Sequence, residues 1–225
     1  MMKICLIQRP RRAVARMGSV LALCTLAACA TPQAPVAKAL YDLGLPWSVS
    51  VDTAPAPALT SGAPTLAAPS AAPPAVVLAD IATGAALDST AMLYRLAYAD
   101  VQQLRPYTLA RWSMPPAQLL RQRLRDALAA RGPVLSPSEG SAPWRVVVEL
   151  DEFSQVFDTP TTSAAVVQLR ATLLRGDLSV AQQAIGARAI APSADAAGGA
   201  RAMATAADNA ARQLAAWTAN QMVKP

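Results

Sequence analysis

The sequence predicts an α/β fold, and three observations predict it. Residues 144–153 and 165–175 alternate apolar and polar side chains with the period of half-buried strands. Two longer stretches, 114–130 and 195–222, repeat apolar residues every three or four positions, as helices with one buried face do. The only other strongly apolar run, residues 17–28, follows a basic N-terminus and is too short to span a bilayer, where about 20 residues are needed. The expected organisation is a leader followed by one α/β domain.

The leader is residues 1–28. It carries Lys3, Arg9, Arg11, Arg12 and Arg16 and no acidic residue, then the short apolar run. Leu26-Ala27-Ala28-Cys29 closes it with the pattern of a bacterial lipobox, in which small residues enter the signal peptidase and the cysteine is acylated. An ordinary secretory signal with a coincidental cysteine is the alternative. Ala30 rather than Asp follows, which under the common lipoprotein sorting rule points to the outer rather than the inner membrane. Residues 29–40 read as a lipidated tether, and residues 41–225 as the domain.

Within the domain, Tyr41-Asp42-Leu43-Gly44 is expected to start the first strand. Residues 53–75 are dominated by Ala, Pro, Ser and Thr without an apolar period, as in a long loop between two strands of one sheet. Short strands are expected over 75–81, 92–98 and 107–112. Pro115 and Pro116 suit the first turn of a helix, where no intrahelical donor is needed, and Gly132-Pro133 ends it. Leu120, Leu124, Ala127 and Leu128 form its buried stripe. Arg121, Arg123, Arg125 and Arg131 fall off that stripe, either as a patch for anionic lipid or a partner or as a solvated face.

In the strand over 144–153, Trp144, Val146, Val148 and Leu150 share one face. Asp151 and Glu152 are expected on opposite faces, at the surface and unable to share a proton. The strand over 165–175 ends in Gly176-Asp177, a tight turn into a return strand from Leu178, so Arg175-Gly176-Asp177 is a hairpin turn rather than an adhesion tripeptide. The final helix, capped by Ser193 or Asp195, buries a narrow face of Met203, Ala207, Ala210, Leu214 and Trp217 against the sheet. Arg201, Asp208, Arg212 and Asn220 fall mostly away from it.

Composition excludes several functions. The chain has a net charge of +6, but removing the five basic residues of the leader leaves 15 basic against 14 acidic, so charge gives no ground for nucleic-acid binding. Only 4% of residues are aromatic, and none are interleaved with a basic stripe. Histidine is absent, and of the three cysteines two (Cys5 and Cys24) lie in the leader. Zinc, haem and Cys/His nucleophile sites lose their ligands, and no metal or cofactor is expected. Gly198-Gly199 lacks the context of a phosphate loop, and no Gly-x-Ser-x-Gly elbow occurs.

From Tyr94 onward the chain resembles a known family. Arg95-Leu96-Ala97-Tyr98, then Tyr107, Arg111-Trp112, Pro115-Pro116, Leu119-Leu120 and Arg123-Leu124, are similar to the ABC-type transport auxiliary lipoproteins. The resemblance implies a mixed β-sheet flanked by helices. It also implies a non-enzymatic outer-membrane lipoprotein working beside an MCE-domain protein and the ATPase and permease of a lipid transporter, as a docking or receiving part, singly or as a homo-oligomeric ring. A free-standing periplasmic lipid carrier and a lipoprotein regulator of a cell-wall enzyme are the alternatives. Only Cys29 carries a transferable role. The Tyr107, Arg111, Trp112, Pro115 and Pro116 motif has a structural explanation, as a strand end and helix start.

Overall fold

A computed structural model of the chain describes residues 37–45 and 73–223. The lipobox, Cys29 and most of the Ala/Pro-rich segment over 53–75 lie outside those residues. Among the described residues nine strands form one sheet: β1 (Ala39–Tyr41), β2 (Val76–Leu78), β3 (Ala82–Thr83), β4 (Ala91–Leu96), β5 (Asp100–Trp112), β6 (Val134–Leu135), β7 (Trp144–Phe157), β8 (Ser163–Arg175) and β9 (Leu178–Ile190). Two α-helices, α1 (Pro116–Ala129) and α2 (Ala196–Met222), complete the α/β domain.

β7 is the shared strand. Along one edge it pairs antiparallel with β8, which pairs with β9 through the Gly176 turn. Gly176 sits at φ 59°, a left-handed conformation that a glycine adopts without steric cost. Along the other edge β7 carries three strands in tandem, all parallel: β2 at Trp144–Val146, β3 at Glu149–Leu150 and β4 at Gln155–Phe157. β4 then pairs antiparallel with β5 and β5 parallel with β1, while β6 lies outside β2, so the sheet is mixed.

A register shift between Leu150 and Glu152 changes which residues of β7 face inward. Trp144, Val146, Val148 and Leu150 are buried before it, and Phe153, Gln155 and Phe157 after it. An extra residue in one strand of a pair has this effect, because the side-chain period is two. The expected opposition of Asp151 and Glu152 is thereby overturned. Both lie on the open face, Asp151 beside Arg170 at 3.5 Å and Glu152 bonded to Arg95 at 2.9 Å.

The helices cover the other face. α1 buries Leu119, Leu120, Leu124, Ala127 and Leu128, matching the expected stripe and adding Leu119. α2 is less narrow than expected: Ala202, Met203, Ala206, Ala207, Ala210, Ala211, Leu214 and Ala215 are all buried. It packs against β8 and β9 on one side and α1 on the other, so two flanks lose solvent instead of one. Trp217 is only half-buried, and Thr218 takes the inner position.

Two strands depart from expectation at the sheet edge. β1 ends at Tyr41 rather than starting there, because Asp42 accepts a hydrogen bond from Gly44 N (2.7 Å) and Gly44 turns the chain at φ 70°. β5 begins at Asp100, seven residues early. Most of its length lacks an outer neighbour, so Gln102, Gln103, Arg105 and Pro106 appear where alternation would otherwise show, and Pro106 is tolerated beside an irregular register. β4, for its part, stops at Leu96 rather than continuing to Tyr98.

α2 starts at an Asp195 cap, whose carboxylate accepts from Gly198 N (2.6 Å) and from the Ser193 hydroxyl (2.9 Å). These bonds hold the Asp195 carboxyl below its ordinary range, the Gly198 bond contributing most. A depressed folded value means that the cap's contribution is present above the ordinary carboxylate pKa and lost as pH falls through the folded one. Urea midpoints taken from about pH 6 down to about pH 3 should therefore fall more steeply in the native chain than in Asp195→Asn, which keeps an acceptor that does not titrate.

Candidate functional site

The motif residues meet where β5 runs into α1. Trp112 N–H donates to Thr90 O (2.8 Å) and Ser113 N–H to Tyr41 O (2.7 Å), so the end of β5 is held from both sides. The Trp112 side chain is 1% exposed and stands edge-on to Phe153, with ring centroids 5.5 Å apart. Pro115 has φ −52° and ψ 143° at the N-cap, and its carbonyl accepts from Gln118 N and Leu119 N. Pro116 is buried in the first turn. Arg111 is exposed on the strand. These residues build a corner and leave no group poised for chemistry.

Tyr107 belongs to a second cluster. Its hydroxyl donates to Gln155 Oε1 (2.9 Å), and Gln155 Nε2 donates to Ser163 Oγ (2.8 Å). Gln155 is fully buried, and its amide satisfies both neighbours at once. Burial raises the Tyr107 pKa well above its ordinary value, with smaller contributions from Tyr94 and Asp195, so the hydroxyl stays a donor. Tyr94 packs on Tyr107 with centroids 4.7 Å apart.

Gly199 explains the diglycine left over from the sequence. A Cβ there would overlap the Gln155 amide, and one on Gly198 would overlap the Ser193 carbonyl. Both residues let the first turn of α2 approach β7 and the preceding loop. No signal in the sequence tied Gly199 to Gln155, although a glutamine inside an apolar strand was visible.

Arg123 is the larger departure from expectation. It does not lie on a solvated face but is 4% exposed. Its guanidinium donates to the carbonyls of Leu43, Gly44 (2.8 Å) and Leu45 (3.2 Å), fastening the chain after β1 onto α1. Its Nη1 also lies 3.3 Å from Asp208 Oδ1 on α2, so Asp208 faces Arg123 rather than solvent. That contact is an ion pair by distance without hydrogen-bond alignment, and Oδ1 has no donor. Burial accordingly pushes the Asp208 carboxyl up by more than Arg123 and Arg212 pull it down. Of the other α1 arginines, Arg121 pairs with Asp80 at 3.3 Å and Arg125 with Glu139 at 3.1 Å.

Among the described residues no cluster of three or more His, Cys, Asp or Glu side chains could hold a metal ion. No described helix is long and apolar enough to cross a membrane.

The sequence model of the ABC-type transport auxiliary lipoprotein component family matches residues 58–215. No curated protein matches the chain by sequence. Among solved structures, protein XCC0632 from Xanthomonas campestris is similar at 20% identity and a TM-score of 0.58, over 65% of this chain and 84% of that one. An uncharacterised protein is similar at 14% identity and a TM-score of 0.57, over 80% of this chain and 98% of that one. Both likenesses concern the fold.

Two stability measurements check these contacts. Arg123→Ala should cost about 3–5 kcal/mol in urea unfolding, because three carbonyls and a carboxylate lose their cation, and Arg123→Lys should recover little without a forked donor. Asp208→Asn should cost much less than Arg123→Ala. Gly199→Ala should destabilise by about 1–3 kcal/mol despite the better helix propensity of alanine. In a double-mutant cycle, that loss should shrink when Gln155 is already Ala.

Proposed function

We propose that this chain, which belongs to the ABC-type transport auxiliary lipoprotein family, is the non-enzymatic, lipid-anchored subunit of an MCE-type lipid transport system at the outer membrane. The observation that carries the reading is the family match, which runs from the segment before β2 to Ala215 in α2 and so takes in eight of the nine strands and α1. In this reading Cys29 bears the anchor, with Leu26, Ala27 and Ala28 as its processing site. A single acyl chain gives only reversible attachment, and several chains on one cysteine make it lasting. The domain docks on or receives cargo from an MCE-domain protein, which an ATPase and a permease serve from the inner membrane. A docking role agrees with an open sheet face whose charges are matched, Arg95 with Glu152 and Arg170 with Glu149 and Asp151, since it offers a surface rather than a reacting group.

Two measurements test the reading. Cys29→Ser should shift the protein from the membrane to the soluble fraction while its thermal unfolding stays unchanged. The tagged native protein should co-purify with an MCE-domain protein and its ATPase. Retention of Cys29→Ser on the membrane would remove the anchor, and a pull-down that brings a peptidoglycan synthase instead of transporter components would replace the transport role.

A further inference from the structure

The chain leaving β1 crosses onto the seam between α1 and α2. Leu43 is buried, and the Arg123 guanidinium holds the carbonyls of Leu43, Gly44 and Leu45 at the point where it meets Asp208 of α2. From there the two helices run side by side in the same direction. Beyond the Arg123–Asp208 contact, Ala127, Ala130 and Arg131 share a cleft of about 340 Å³ with Arg212 and Ala215. Further on, Leu128 and Arg131 line a separate apolar pocket of about 150 Å³ with Ala219 and Met222. The path of the chain therefore points along an alanine-lined cleft toward an apolar hole.

Two ends of the chain border this surface. Leu45 stands at the near end, 81% exposed. Pro73 stands at the far end, lining the pocket and lying so close to Gly132 that a Cβ there would come within 3.1 Å. Residues 46–72, which lie outside the described residues, thus depart from one end of the surface and return at the other. Their sequence matches what the surface offers. Trp47, Val49 and Val51 alternate with Ser48, Ser50 and Asp52, so an extended chain turns three apolar side chains one way and the polar ones the other. Beyond Asp52, Leu59 and Leu66 are isolated among small residues and prolines. Asp52 is also the only charged residue between 46 and 72. The cleft supplies the opposite sign: Arg131 and Arg212 make no ion pair among the described residues, and Arg212 bonds the Asn209 amide oxygen instead.

The lengths agree. Arg123 and Arg131 are about 12 Å apart at 1.5 Å per helical residue, and the seven residues from Pro46 to Asp52 span up to about 23 Å when extended. We propose that residues 46–52 of this same chain occupy the surface between α1 and α2, with Trp47 and Val49 on the alanines of the cleft, Val51 in the apolar pocket and Asp52 paired with Arg131. Residues 53–72 then have only a short gap to bridge back to Pro73. A segment tethered beside the cleft at both ends is present at high effective concentration, which favours it over a second copy or a separate partner. The inference stands apart from the transport reading. It bears on the carrier alternative, since the chain itself fills the apolar pocket.

Amide hydrogen exchange on full-length Cys29→Ser tests the assignment, with residues 53–72 as the internal reference. After correction for intrinsic rates, the amides of 47–52 should exchange at least about tenfold more slowly than those of 53–72. This protection should not change with protein concentration. Asp52→Asn and Arg131→Gln should each reduce it several-fold, and the double variant should lose no more than the stronger single one, because both remove the same pair. Ala130→Trp, at an exposed position in the cleft, should abolish the protection while the amides of β7 stay protected. Equal exchange over 47–52 and 53–72 overturns the proposal. Protection that rises with protein concentration gives the surface to a second copy and overturns it as well. So does protection indifferent to Arg131→Gln and Asp52→Asn, two charge changes that leave the buried core untouched and so decide the matter even if Ala130→Trp disturbs folding.

Discussion

Everything in the domain hangs on the two edges of β7. β2 and β3 have three and two residues, too few to stand alone, and β4 has six; all three are parallel to β7, so none can reach it through a simple hairpin. They hold together because one fourteen-residue strand offers each a separate stretch of the same edge. That strand can serve them only if both its halves turn apolar side chains toward the helices. The register shift at Asp151 achieves this: without it, the row Phe153, Gln155 and Phe157 would point to solvent and the Tyr107 hydroxyl would lose its acceptor.

The second constraint is nearness. Alanines along α2, and Gly198 and Gly199 at its start, replace bulk with close approach, so the helix lies against β8 and β9 while still touching α1. A chain with 4% aromatic residues can therefore close its core without large side chains. The few large ones stand at junctions: Trp112 under the β5–α1 corner, Phe153 just past the bulge, Tyr107 between β5 and β7. Arg123 completes the closure from the polar side, since the carbonyls of Leu43, Gly44 and Leu45 face an interior that supplies this one cation.

The sequence revealed elements whose periodicity was undisturbed. The β8–β9 hairpin, the start of α1 after Pro115 and the Asp195 cap all appear where local pattern placed them, because each follows from neighbouring residues alone. The mixed sheet entered through the resemblance rather than through periodicity. The misses share a different cause. The first seven residues of β5 follow no alternation because most of that strand has no outer neighbour to demand it. The bulge in β7 leaves no compositional mark, so Asp151 and Glu152 looked like residues on opposite faces. Arg123 and Asp208 looked like solvent-facing charges because a helical wheel tells which residues share a side and not which neighbours come to cover it. Of the motif, Arg111, Trp112, Pro115 and Pro116 lie at the strand end and helix start, while Tyr107 stands apart in the cluster with Gln155. Gln155 and Gly199 escaped notice because their contact joins positions 44 residues apart.

Charge shows the same gap between composition and placement. Residues 29–225 carry 15 basic against 14 acidic side chains, and a balance of that kind argues against any strong general attraction to anions. Pairing redistributes the question. On the open face and at its rim, arginines meet carboxylates at 2.5–3.5 Å, so these cations are largely neutralised where they stand. On the helical side, the three arginines of α1 all meet carboxylates, one so deeply that it acts as a structural bolt. Arg131, in the turn past α1, shares one cleft with Arg212, and it also lines a separate apolar pocket. A local positive potential next to a low-dielectric wall is felt more strongly than the same charges dispersed in water. Where positive potential remains on this domain is therefore decided by which guanidiniums are left without a carboxylate and what surface they adjoin, a property that neither net charge nor helical position alone contains.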